Sequence, residues 1–223
     1  MNLKHLGIIA DGNRRWAKEQ GLPSIEGHRK GVDVVEPLID AAMEAGISYI
    51  TFYVFSTENW GRSKAEVAYL MKIAETRIPK LAEKMVQKNG RLLILGTKDR
   101  LSPKLVSTLE AAEKMTAECT GITACFCFNY GGEQEIADAA TIAGEIEGEI
   151  TPETILKHFY HPEVPDVDMI VRTSGEQRIS GFMLWRGAYA ELMFIQKYFP
   201  TMEAADIEEI VREFEKRNRR FGK

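Results

Sequence analysis

The chain of 223 residues predicts an α/β protein. Three observations carry this. Six short apolar runs recur along the chain, stretches with helical spacing separate them, and several runs end in small or polar residues that can turn a strand into a helix. Short, continuously apolar runs fit strands buried on both faces of a parallel sheet. Alternation of such strands with helices argues for one layered domain. No repeat, low-complexity tract or linker interrupts the pattern, so residues 1–223 read as a single domain.

The first strand, at 6–10, runs into Asp11-Gly12-Asn13 and a helix. Gly27-His28-Arg29-Lys30-Gly31 reads as a polar turn before the next helix. There Val35, Leu38, Ile39, Ala42 and Met43 share one face, and Gly46 is a natural stop. The second strand is expected at 49–55. Ser63-Lys64-Ala65-Glu66 then reads as a capping box. The helix it starts buries Val67, Leu70, Met71, Ala74, Ile78, Leu81 and Met85, and Pro79 inside it should kink it. Further strands are expected at 91–95, 122–129, 169–172 and 191–194. Ser102-Pro103 and Thr151-Pro152 each place Pro at the first helical position behind an N-cap. A last helix covers 203–217, with Ile207, Ile210, Val211 and Phe214 inward.

Composition narrows the function classes. Apolar residues are 44% of the chain, enough for one sizeable core. Net charge is −4, without the basic excess of a protein whose main partner is nucleic acid, so any cationic site is local. Cys119, Cys125 and Cys127 are odd in number and form no CxxC pair, which fits a reducing cytoplasm better than a disulfide framework or zinc site. The first residues lack a signal-peptide pattern, and no apolar run is long enough to span a membrane. A lipidic substrate would have to be met from the water side.

The usual phosphate motifs GxxxxGK[ST] and GxGxxG are absent. Instead the first strand ends in Asp11-Gly12-Asn13-Arg14-Arg15-Trp16. A strand that turns through small residues into a helix presents backbone N–H groups at the sheet's carboxyl edge, a ready anion site. Gly12 allows close approach, and Arg14 and Arg15 add charge-assisted donors. A carboxylate there would repel a phosphate unless Mg²⁺ lay between them; Mg²⁺ typically takes one or two carboxylates plus substrate phosphates. The plainer alternative is an N-cap Asp followed by solvated arginines. His28 contacts a phosphate oxygen or caps a helix. The stretch Phe55-Ser56-Thr57-Glu58-Asn59-Trp60-Gly61-Arg62 follows the second strand and suits a mobile lid, or a routine connection anchored by Trp60. Arg172 and Arg178, with Ser174 and Ser180 around Gly175, could clamp a second diphosphate or form an ordinary surface loop. Glu191 opens an apolar strand as a Mg²⁺ ligand or an edge charge.

Taken in order, these segments resemble the cis-prenyltransferase family, most closely the bacterial undecaprenyl diphosphate synthases. The resemblance spans nearly the whole chain: Ile8 to Ala17, Gly27-His28 with Gly31, Phe55 to Trp60 with Arg62, Asn129-Tyr130-Gly131-Gly132 with Glu135-Ile136, Arg172 to Glu176 with Arg178 and Ser180, Leu184-Trp185, Ala188 to Leu192, and Arg219-Arg220-Phe221-Gly222. It implies a six-stranded, mostly parallel sheet flanked by about seven helices, an apolar tunnel, and a homodimer. It implies an allylic diphosphate, such as farnesyl diphosphate, on Gly12, Asn13, Arg14, Arg15, Trp16, Ser24 and His28, with Ser56, Glu58, Trp60 and Arg62 nearby. Isopentenyl diphosphate would sit on Arg172, Arg178 and Ser180. Asp11 would hold Mg²⁺, with Glu191 a second contact, and Asn59 and Arg62 would aid deprotonation or product departure. Residues 219–222 would complete the partner's site. Val67, Leu70, Met71 and Ile78 would supply a tunnel wall. The protein would be cytoplasmic, with peripheral contact at the inner membrane face.

The chain departs from that family where its chemistry is sharpest. Arg14 stands where the second Gly of the turn is usual, and Ser24 where an Arg is; Arg14 is expected to compensate. Glu133 and Gly181 replace an Arg and an Asn. Phe126, Phe128 and Val54 would add volume to a tunnel wall and shorten the product. Three readings follow: processive cis-prenyl transfer to a polyprenyl diphosphate such as undecaprenyl diphosphate, a short-chain or atypical prenyl synthase, and a non-catalytic partner subunit. A phosphatase or nucleotide-binding protein is more distant.

Overall fold

A computed structural model describes residues 2–217. Six strands form one sheet: β1 (His5–Ile9), β2 (Tyr49–Ser56), β3 (Arg91–Leu95), β4 (Thr123–Tyr130), β5 (Met169–Arg172) and β6 (Glu191–Phe194). Their order is β3-β4-β2-β1-β5-β6, and every pairing is parallel. Among the described residues six α-helices lie between the strands and a seventh follows β6: α1 (Asn13–Glu19), α2 (Ser24–Glu44), α3 (Lys64–Gln87), α4 (Pro103–Met115), α5 (Gly132–Ile146), α6 (Pro152–Lys157) and α7 (Ala204–Glu215).

The local signals act as the sequence predicts at several ends. Ser63, Ser102 and Thr151 each accept a backbone N–H in the first turn of α3, α4 and α6. Helix α3 runs continuously through Pro79, as α2 does through Pro37. One expectation is corrected. The Gly27–Gly31 motif is not a turn before a helix, because α2 already begins at Ser24 and carries the motif within its first two turns. The glycines serve a helix crossing instead. A Cβ on Gly27 would fall inside the contact distance of the Asn13 carbonyl oxygen, and one on Gly31 would strike the Asn13 side chain. Small residues four apart let α2 lie directly against α1.

Strand alternation divides the core between the two faces of the sheet. Leu6, Ile8, Ile50, Phe52, Ala124 and Phe126 face one layer with Leu38, Ile39, Ile78, Leu105 and Ile210 from the helices. On the other face Ile9, Tyr53, Cys125, Cys127 and Ile170 pack with Phe182 and Met183. The connection from β1 leads to one side of the sheet, and β5 returns on the other side of β1. The carboxyl ends of β1 and β5 therefore flank a topological switch point, where open α/β sheets place ligands. No helix among the described residues is long and apolar enough to cross a membrane.

Candidate active site

Ile9 of β1 pairs with Arg172 of β5, so the residues after β1 meet the end of β5 at that switch point. Gly12 caps α1 at φ 100°, a left-handed conformation, and a Cβ there would approach Tyr198 Cδ1 to 2.5 Å. Only glycine fits both constraints. The turn aims the Asp11 carboxylate into the cleft. Its Oδ1 accepts the Gly12 N–H at 2.6 Å, and its Oδ2 accepts Arg172 Nη2 at 2.8 Å and lies 3.2 Å from Arg15 Nη2. Partial burial pushes the carboxyl pKa up, but Arg172, the Gly12 N–H and Arg15 outweigh it and hold it below the ordinary carboxylate value.

Arg172 is almost fully buried and organises the second half of the site. Its Nη1 donates to the Arg178 carbonyl at 2.7 Å and to Ser180 Oγ at 2.8 Å. Its Nε is buried with no acceptor, an orphaned donor on a guanidinium beside the cleft. Ser174, Gly175 and Ser180 all take positive φ, bending the loop back over the sheet edge. Arg15 donates to Glu176 at 2.9 Å and to Ser174 Oγ at 2.6 Å, and Arg178 donates to Glu176 at 2.6 Å.

Across the cleft, Glu66 of α3 collects three cation-capable groups. His28 Nε2 and Arg62 Nη1 each lie 3.1 Å from Oε1, and Arg14 Nη1 lies 3.5 Å from Oε2. The reciprocal capping box expected at Ser63 is thus only half present: Ser63 Oγ accepts the Glu66 N–H, while the Glu66 carboxylate turns to His28, Arg62 and Arg14, which border the cleft. Burial lowers the His28 pKa against the raising effect of Glu66, with Arg62 and Arg14 lowering it further, so the ring is neutral near pH 7. Glu66 and Tyr53 escaped the sequence reading. Tyr53 Oη donates to the carbonyls of Tyr130 and Ser180, both at 3.3 Å. For Glu66 the signal was present as a capping residue, but its tertiary partners were not.

The segment read as a lid or a routine connection is a short 3-10 turn over Thr57–Gly61. Asn59 Nδ2 donates to Ser56 Oγ at 2.9 Å, and Asn59 Oδ1 accepts the Ser56 N–H at 3.3 Å. Trp60 Nε1 donates to Asn129 Oδ1 at 2.7 Å, under the Arg100 guanidinium.

A cleft of about 970 Å³ brings together Asp11, Gly12, Asn13, Arg14, Arg15, His28, Ser56, Glu58, Asn59, Arg62, Arg172, Arg178 and Ser180. Glu133 and Gly181 also border it. Four predicted residues lie outside this lining: Trp16 on α1, Ser24 exposed at the first position of α2, Trp60, and Glu191. Glu191 lies farther still. It opens the edge strand β6 level with Met169, at the amino end of the sheet, and its carboxylate accepts Arg217 Nη1 at 3.0 Å. Asp11 sits at the carboxyl end, so within one chain the two do not share a metal. The predicted contribution of residues 219–222 falls outside the described residues.

The cleft adjoins an apolar cavity of about 370 Å³ between α2, α3 and the sheet, and Ala10, Asn13, His28, Val54 and Phe55 border both. A register shift in β2 around Val54 turns both Val54 and Phe55 toward this space. Phe126 and Phe128 line it as anticipated. From α3 the wall is Leu70, Ile73, Ala74, Ile78 and Leu81; Val67 and Met71 pack on the core instead.

Fold and site define a class: an α/β protein shaped to hold an anionic head beside an apolar tail. The chain belongs to the family whose model is described as "Putative undecaprenyl diphosphate synthase", which matches residues 9–222. It is similar to an isoprenyl transferase of Thermotoga maritima, 41% identical over 98% of this chain and 96% of that protein. Among solved structures it resembles lavandulyl diphosphate synthase from Lavandula x intermedia in complex with dimethylallyl diphosphate. That match has TM-score 0.94 and 32% identity, covering 100% of this chain and 99% of the other. A probable undecaprenyl diphosphate synthase from Campylobacter jejuni matches at TM-score 0.86 and 31% identity, covering both chains fully.

Proposed function

We propose that the chain is a cis-prenyl transferase that condenses isopentenyl diphosphate with an allylic diphosphate, farnesyl diphosphate as starter. It releases diphosphate and builds a polyprenyl diphosphate such as undecaprenyl diphosphate. The observation that carries this is the union of the guanidinium-lined cleft with the apolar cavity. The allylic diphosphate takes the Asp11–Arg15 turn and His28, with its hydrocarbon in the cavity. Isopentenyl diphosphate takes Arg172, Arg178 and Ser180, where the orphaned Arg172 Nε supports an anion.

A magnesium ion suits Asp11, because one carboxylate ringed by donors for phosphate is the usual protein share of such a site. Once bound, Mg²⁺ supplies charge neutralisation for the leaving diphosphate. Glu191 reaches that ion only from a second copy, so its place in the metal site rests on a homodimer. Arg14, Arg15 and His28 orient the leaving group, and Arg172 holds the acceptor alkene beside the allylic carbon. The allylic C–O bond breaks, a C–C bond forms, and a proton leaves the isopentenyl unit, giving the new cis double bond. Asn59, with Arg62, assists that proton's departure. The enzyme works in the cytoplasm and meets the inner membrane face peripherally to hand over product.

A second reading, a short-chain or atypical prenyl synthase, draws on Val54, Phe126 and Phe128 in the cavity wall. A non-catalytic subunit is disfavoured, because Asp11, Arg172 and Arg178 converge. Labelled isopentenyl diphosphate with farnesyl diphosphate and Mg²⁺ tests the proposal. Label should enter butanol-extractable lipid, and chromatography against length standards separates the first two readings. Label confined to the aqueous phase refutes both.

A further inference from the structure

We infer that an ionic seam between α2 and α3 sets the length of hydrocarbon the cavity holds; this deepens the prenyl-transfer reading and rests on it. The seam runs along the solvent side of the apolar cavity. Asp33, Glu36 and Asp40 stand three and four residues apart on α2, and so share one face. They meet Arg77 and Lys84 of α3 and Lys88, the residue that caps its carboxyl end. Arg77 Nη2 lies 3.2 Å from Asp33 Oδ1, Lys84 Nζ 2.5 Å from Glu36 Oε2, and Lys88 Nζ 3.1 Å from Glu36 Oε1 and 2.6 Å from Asp40 Oδ1. Asp33, Glu36, Arg77 and Lys84 also line the cavity itself. Aliphatic stems cover the apolar space while the charged heads pair across its rim.

Volume shows why the seam has to part. A cavity of about 150 Å³ accommodates the six carbons of benzene, so by the same scale about 370 Å³ accommodates about 15 carbons. One farnesyl tail fills it. Every further isoprene unit needs space that the aromatic floor of Phe126, Phe128 and Phe199 does not offer. The outer wall is the yielding one, because half-exposed ion pairs hold weakly and re-form in water. A growing chain therefore spreads α2 from α3, and the seam's strength opposes each addition.

The test uses the full chain with farnesyl diphosphate, Mg²⁺ and labelled isopentenyl diphosphate, and reads product length per chain started. Asp33→Cys with Arg77→Cys, on a Cys119→Ser background, is joined by a bis-maleimide. The mean number of units added should fall about twofold or more, as a cavity fixed near 15 carbons requires. Asp33→Asn with Glu36→Gln should shift products longer, and the charge-swapped pair Asp33→Arg with Arg77→Asp should restore the wild-type distribution. Label incorporated with lengths unmoved by cross-link and neutralisation overturns the inference alone. No incorporation by the unmodified chain overturns the transfer reading and the inference with it.

Discussion

Arg172 hands its guanidinium to Asp11, to Ser180 and to the Arg178 carbonyl at once, a fork that one ammonium cannot reproduce. Arg172→Lys is therefore expected to keep the fold and lower kcat/KM for isopentenyl diphosphate about 10²-fold, the scale of losing one preorganised charge contact. Steady-state kinetics with each substrate varied separately will show it. Arg14 is half-exposed and shares Glu66 with His28 and Arg62. If it replaces the cation missing at Ser24, Arg14→Gly raises KM for the allylic substrate several-fold; an unchanged KM ends that idea. At this scale much was legible. Asp11 and Arg172 at strand ends, with Arg178 and Ser180 in the loop that follows, read as polar candidates in the sequence, and the structure brings the four together in the cleft. Glu66 did not, because its local role as a capping residue masked partners 38 and 52 positions away, at His28 and Arg14. Glu191 was ambiguous for a related reason. Whether a charge opens a strand at the site end or the far end depends on sheet order, which one strand's sequence does not contain.

Helix α2 is the element that sequence periodicity placed least well. Gly27 and Gly31 look like turn residues, yet they are spaces for Asn13. The signal was tertiary and left only its glycines in the chain. Gly27→Ala should lower unfolding stability by about 1–3 kcal/mol, the usual penalty for forcing atoms into a packed contact, read from the urea midpoint. At the opposite end of the sheet, β1 buries His5. Its Nδ1 lies 2.9 Å from the Pro165 carbonyl and its Nε2 2.7 Å from Thr51 Oγ1. Desolvation lowers its pKa from 6.5 to about 4, against the raising effect of the Pro165 carbonyl and Asp168. The folded state thus holds the neutral ring while the unfolded chain protonates. Stability from this group is complete above pH 6.5 and is lost as pH falls toward 4; that loss amounts to at most about 3 kcal/mol. Urea midpoints measured across that interval should fall, and His5→Gln should flatten the slope. The strands themselves were the most legible elements, since burial on both faces leaves an unbroken apolar run. Their ends moved by a residue where β1, β2 and β4 meet polar turns.

The whole molecule joins a charged cleft at the switch point of a parallel sheet to an apolar cavity beneath two long helices. Neither half alone is diagnostic. A phosphatase needs the first, and a lipid carrier the second. Joined, they favour transfer between two diphosphate esters, and a magnesium ion at Asp11, as proposed, would serve that chemistry and not the folding core. Chelation of divalent ions should therefore abolish turnover while leaving the far-UV circular dichroism and Tm unchanged. The most direct measurement is diphosphate release followed against substrate composition. Prenyl transfer predicts release only when allylic and isopentenyl diphosphates are both present, one diphosphate for each isopentenyl unit incorporated. Comparable release from either substrate alone would contradict the account, because it would make the cleft a hydrolase and leave the cavity without a role.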